Sequence, residues 1–169
     1  MHHQSITLCR VGLQAARQAA DGLETRALGN QVVVYPKTEP SLESLTQLEE
    51  RLAGLTAGLS QRLACVALGA VNLEDAALLL WVYHQGRLVF QYDSNPMYLS
   101  CPVCSYSSDT VSAEVGDVEQ LSDVLGVPHQ RKALKSWLTR KKGLGFLSER
   151  ERLEKIFRLL GLSPPTTPF

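Results

Sequence analysis

The sequence predicts an α+β fold: a mixed or antiparallel sheet of about five strands, a long leucine-striped helix packed on it, and a C-terminal helical segment. Three features carry this. A hairpin runs from Ala76 to Asp93, and its first strand is apolar on both faces. A β-branched strand, Gln31–Tyr35, is stopped by Pro36 and followed by leucines at helical spacing. From Asp117 onward, capped helical patterns replace strand patterns. The boundary falls between a sheet part, 1–112, and a helical part, 113–169, packed into one compact unit.

In chain order, Ile6–Val11 is a short apolar run that fits a first strand. Leu13–Ala20 is rich in Ala and Gln and favours helix. Asp21-Gly22 interrupts it, and Gly29-Asn30 marks a turn before Gln31–Tyr35. Ser41 is then expected to cap a helix whose Leu42, Leu45, Leu48, Leu52, Leu55 and Leu59 form one stripe. Such a stripe suits either a sheet surface or a homodimer seam. Arg62–Val71 reads as the next strand, and Asn72–Asp75 leads into the hairpin.

In that hairpin, Leu78, Leu80 and Val82 share one face of the strand, and Leu79, Trp81 and Tyr83 share the other. A strand apolar on both faces belongs inside the sheet, covered on both sides. The connection His84-Gln85-Gly86 is expected to be a three-residue loop, a type I turn with Gly86 in the left-handed position. Ser94–Ser112 follows as a long ordered loop without a sustained period. Asp117 with Gln120, and Ser148 with Glu151, have the spacing of capping boxes; Gly126 and Gly161 have the placing of helix ends. His129–Lys142 forms a basic helix between them, and Pro164, Pro165 and Pro168 make an extended tail.

Composition narrows the function without naming it. No apolar run approaches the roughly 20 residues a membrane helix needs, and the N-terminus lacks a secretory pattern, so a cytoplasmic protein with no membrane partner is expected. The net charge is zero, yet His129–Arg158 holds ten Lys or Arg against three Glu. The other residues carry seven basic and fourteen acidic groups. The basic part can therefore dock on its own acidic chain or face an acidic partner.

Three chemistries remain as candidates. Cys101 and Cys104 have the spacing of a zinc half-site or a redox pair, but two more zinc ligands are not evident, and Ser105–Ser108 is a poor helix start for a reactive thiol. Arg131, Lys132, Lys135, Arg140, Lys141 and Lys142 are dense enough to contact nucleic-acid phosphates. Tyr92, Asp93, Ser94, Asn95, Tyr98 and Tyr106, in and after the hairpin, are the candidate contacts for a protein partner. Catalysis finds no glycine-rich phosphate loop, nucleophile elbow or His-x-x-x-His pair. Ser94, Asp93 and His84 do not make a triad, because His84 lies at the opposite end of the hairpin from Asp93. A non-enzymatic interaction protein without a cofactor is expected, with another protein as partner and nucleic acid as the alternative.

The run Trp81, Tyr83, Gly86, Leu88, Tyr92, Ser94, Pro96 and Tyr98, with the final Leu159-Leu160-Gly161-Leu162-Ser163-Pro164, resembles a family of small uncharacterised bacterial proteins. The resemblance spans the last two thirds of the chain. It implies a bacterial cytoplasmic α+β protein and supplies no activity or site residue. Cys-Pro-Val-Cys is a departure from its pattern.

Overall fold

The computed structural model describes residues 2–37, 44–100, 112–141 and 148–165. Its centre is a seven-stranded antiparallel sheet in the order β2-β3-β1-β4-β5-β6-β7. The strands are β1 (His2–Cys9), β2 (Glu24–Leu28), β3 (Gln31–Tyr35), β4 (Val66–Leu73), β5 (Ala77–His84), β6 (Arg87–Asp93) and β7 (Glu114–Val115). The helices are α1 (Leu13–Ala19), α2 (Leu45–Arg62), α3 (Pro96–Ser100), α4 (Val118–Val124), α5 (Arg131–Thr139) and α6 (Glu149–Leu159). No described helix is long and apolar enough to cross a membrane.

The hairpin strand lies where its residues require. β5 pairs with β4 on one side and β6 on the other, and its two faces enter two different cores. Leu79 and Trp81 pack with Ile6, Leu8, Val32, Val34 and the α2 residues Leu48, Leu52 and Leu59. Leu78, Leu80 and Val82 pack with Phe90 and Tyr92 and with Leu121, Leu134, Leu138, Ile156 and Phe157 from α4, α5 and α6. The result is three layers, helix, sheet and helix, held by apolar burial on both faces of the sheet. Leu48, Leu52 and Leu59 of α2 are buried on the sheet within the chain, Leu45 and Leu55 are partly exposed, and Leu42 lies outside the described residues.

Close approach of α2 depends on a glycine in the middle of β4. A Cβ on Gly69 would stand 2.5 Å from the Thr56 hydroxyl oxygen, which itself donates to the Leu52 carbonyl at 2.7 Å. Only a residue without a side chain leaves that hydroxyl its place against the sheet.

Several boundaries depart from the sequence expectation. The sheet has seven strands rather than five. β2 was not expected because Glu-Thr-Arg-Ala-Leu does not alternate; it is an outer strand with mostly exposed side chains. β7 has two residues, too few for any periodic signal, and it extends the sheet into the helical part of the chain. β1 starts at His2 and ends at Cys9, and β4 starts at Val66 because α2 continues to Arg62. Ser44, not Ser41, caps α2: its hydroxyl accepts from the Gln47 backbone N–H, and the Gln47 side chain accepts from the Ser44 N–H. The hairpin turn has two residues. Gln85 and Gly86 both have positive φ, 51° and 82°, between the paired His84 and Arg87, which is a type I′ geometry. The bulge lies further along, where the register shifts between Val82 and Tyr83 and leaves Val89 as the extra residue. Within the expected loop, Pro96–Ser100 forms the short helix α3.

The helical part docks on the sheet through apolar contact, and its ends are set as the sequence indicates. Asp117 accepts from the Gln120 N–H at 3.1 Å and Ser148 from the Glu151 N–H at 3.0 Å, which is the N-cap half of each expected box without the return bond seen at Ser44 and Gln47. The C-terminal segment is tied back by a two-way bond: buried Gln31 donates to the Ser163 carbonyl at 2.7 Å and accepts its N–H at 2.9 Å.

Candidate functional site

The stretch after the hairpin is built as structure. The Tyr92 hydroxyl is buried and donates to the Leu138 carbonyl at 2.8 Å, and burial pushes its pKa up. The Ser94 hydroxyl accepts from the Leu78 N–H at 2.8 Å, and the Asn95 amide donates to the Ala76 carbonyl at 3.3 Å. Asp93 accepts from the Asn95 N–H at 2.8 Å. Tyr98 and Asn95 are buried as well. These residues close the end of β6 and leave little side chain for a partner. Tyr106, Cys101, Cys104 and Lys142 lie outside the described residues.

Asp93 has an unusual setting. In the sheet it stands directly opposite Glu114 of β7, and like charges in that position repel. Burial, then Glu114, Glu49 of α2 and Glu149 of α6, push its pKa up to about 6, against the lowering effect of the Asn95 bond. A raised carboxylate pKa means that the folded chain holds the proton more tightly than the unfolded chain. The stability this brings is complete at low pH and is lost as pH rises from the unfolded value of 3.8 through about 6. Asp93→Asn keeps an acceptor for Asn95 and removes the charge. It is expected to stabilise the fold by about 1 kcal/mol at pH 7.5, a figure discounted for solvent at the carboxylate. The gain should vanish near pH 4 in chemical unfolding curves; an equal gain at both pH values would refute this assignment.

Burial of the described thiols disfavours the nucleophilic thiolate. Burial raises Cys9 to about 12 and Cys65 to about 11, so both stay protonated near neutrality. They line an open cleft of about 310 Å³ with Arg10, Gln31, Ala64 and His84, at the turn end of the sheet. A smaller cleft of about 120 Å³ lies against α6, walled by His3, Ser5, Tyr35, Asn72, Leu153 and Pro164. Among the described residues, no three His, Cys, Asp or Glu side chains group to hold a metal ion.

The remaining feature is cationic. α5 buries Leu134 and Leu138 against the sheet and turns Lys132, Lys135, Ser136 and Thr139 outward, the i, i+3, i+4, i+7 positions of one exposed strip. Arg140 and Lys141, just past the helix, are exposed, as are Lys155 and Arg158 on α6. The ion pairs of the region are used elsewhere. Arg131 is held by Asp123 and by the Ser122 hydroxyl, Arg150 pairs with Glu154 at 3.5 Å, and Arg152 pairs with Glu149 at 2.9 Å. All three pairs are internal to the helical part. Among the described residues, Lys132, Lys135, Arg140, Lys141, Lys155 and Arg158 have no carboxylate partner. Apolar burial and hydrogen bonds such as Tyr92–Leu138 and Gln31–Ser163 hold the helical part on the sheet part, and among the described residues no ion pair of these six cations does.

Half-buried Trp137 stands beside two of them. The Arg140 guanidinium lies over its ring, 4.2 Å from the centroid, and the Lys155 ammonium at 5.9 Å. The end of α5 that carries this group is fixed from below. Arg152, buried on α6, donates to the carbonyls of Trp137, Leu138 and Arg140. It thereby caps orphan carbonyls at the end of α5 and places a positive charge at the negative pole of that helix. Glu149, buried beside it in the first turn of α6, balances the charge at that helix's positive pole.

Five of the proposed nucleic-acid contacts are described: Lys132, Lys135, Arg140 and Lys141 are on the exposed cationic surface, while Arg131 is committed to Asp123. The sequence does not mark Lys155, Arg158 or Trp137 as contacts. Their signal was weak, since the glutamates of α6 mask its basic face and Trp137 reads as part of the apolar side of α5. Comparison with family models, with curated proteins and with solved structures finds no match.

Proposed function

We propose that this chain is a non-enzymatic, nucleic-acid-associated protein, and that the outward face of α5, the residues just past it and Lys155 and Arg158 of α6 hold the phosphate backbone. One observation carries this: the cations Lys132, Lys135, Arg140, Lys141, Lys155 and Arg158 gather on one two-helix unit without carboxylate partners among the described residues. The zero net charge of the chain does not oppose it. At physiological salt, charges more than about 8 Å away are largely screened, so a ligand on this face meets the local field rather than the whole-chain total. Rigid helices hold the cations, which suits a backbone of regularly spaced charges.

A protein partner is the second reading. Tyr92, Asp93, Asn95 and Tyr98 are buried and give it little surface, so its natural form is an acidic protein segment docking on the same cations. Fluorescence anisotropy with labelled oligonucleotides at low salt separates the two. Nucleic-acid association predicts a micromolar complex that is largely indifferent to sequence. The triple change Lys135→Gln, Arg140→Gln, Lys141→Gln should weaken it by roughly an order of magnitude. Exposed positions of this kind should change stability by less than about 0.5 kcal/mol. Absence of a complex at low salt would sink the proposal and favour the protein partner.

A further inference from the structure

We propose that the Trp137–Arg140 stack is a landing platform for an unpaired base, so that the cationic face takes single-stranded nucleic acid in preference to duplex. This rests on the phosphate-binding role of the same face and adds the class of strand. Phosphate neutralisation needs only cations, and Lys132, Lys135, Lys141 and Arg158 supply them. A half-buried indole beside Arg140 and Lys155 adds something a duplex cannot use, because paired and stacked bases hide their faces. A single strand offers a base face at every nucleotide, and aromatic rings and guanidinium planes both accept it without reading sequence.

The geometry prepares the platform. At Arg140 the backbone leaves the helix, with φ −63° and ψ 123°, and the side chain folds back over the ring of Trp137, three residues earlier. Buried Arg152 holds the carbonyls of both residues, so their backbone positions are set together. The indole is packed on its inner side against the apolar core shared by α5 and α6, which stops it from swinging away. Arg140 remains exposed, leaving the outer side of the guanidinium open to a base, and Lys155 stands near enough to meet the adjoining phosphate.

The test uses three probes on the full chain at one salt concentration: a labelled 15-nucleotide oligo(dT), a duplex of the same length, and heparin, which has charge but no bases. Single strand should bind roughly tenfold tighter than duplex. Oligo(dT) should quench the tryptophan emission, and heparin should not. Trp81 is buried in the other core and supplies a constant background. Trp137→Leu should bring the single-strand to duplex ratio close to one, and Trp137→Phe should keep most of it; unfolding curves of both variants establish that they fold. Equal affinity for single strand and duplex in the unaltered protein, or a ratio untouched by Trp137→Leu, would overturn the base platform while leaving the phosphate face standing. Failure of all three probes to bind would overturn both.

Discussion

Replacing Arg152 by methionine is expected to destabilise the fold by about 3–5 kcal/mol, because it removes one partner of a buried ion pair and leaves the other charged. Glu149 would lose its 2.9 Å partner in a setting where it is 2% exposed, and the carbonyls of Trp137, Leu138 and Arg140 would lose their donor. Lysine is a poor substitute, since one ammonium cannot reproduce the guanidinium fork that reaches a carboxylate and several carbonyls together. Urea unfolding of Arg152→Met, Glu149→Gln and the double variant gives the coupling directly. Much of the loss should return in the double variant, where no unpaired charge stays buried. If Arg152→Met costs less than about 1 kcal/mol, the pair does not organise the end of α5, and the support for the Trp137–Arg140 platform goes with it.

Trp81→Ala is expected to cost about 3–5 kcal/mol by leaving a cavity that its neighbours only partly fill. Trp81 is 3% exposed on the α2 side of β5, the strand that links the two cores. Because β5 pairs on both sides, the loss should appear as global unfolding at lower denaturant, without a separate early transition. A loss below about 1 kcal/mol would mean that this strand is not the centre of the fold.

What the sequence disclosed follows from how strongly each element is tied to burial. β5 was legible because burial on both faces demands apolar residues at every position from Leu78 to Val82. α2 was legible from its leucines, three of which lie buried on the sheet. Its start was readable too: Ser44 and Gln47 have capping-box spacing, whereas Ser41 has Ser44 three residues on and no Glu or Gln. β2 was hidden because an outer strand can keep its side chains exposed and so needs no alternation. The two-residue turn is hidden in the sequence because the left-handed backbone at Gln85 belongs to Asn, Asp or Gly by preference.

The site was half legible for a related reason. Charge density marked Lys132, Lys135, Arg140 and Lys141, but sequence alone left open whether they were paired with carboxylates from the acidic part. That is settled by which face of α5 turns inward. Arg152 and Glu149 sit in a charged Ser-Glu-Arg-Glu-Arg run, whose composition alone suits a solvated surface. Their spacing told otherwise: 149, 152, 156 and 160 continue one helical stripe, so the pair occupies the start of the buried face of α6.

The claim that the α5–α6 face neutralises phosphates is tested most directly by the salt dependence of oligonucleotide affinity, measured on the unaltered protein between 50 and 200 mM salt as bracketing conditions. Each phosphate neutralised on a single strand contributes about 0.7 to the fall of log K with log salt. With six cations free of carboxylate partners among the described residues, a slope of about −4 is predicted if all six engage phosphates. A slope near zero, or no measurable complex at the lowest salt, would contradict it.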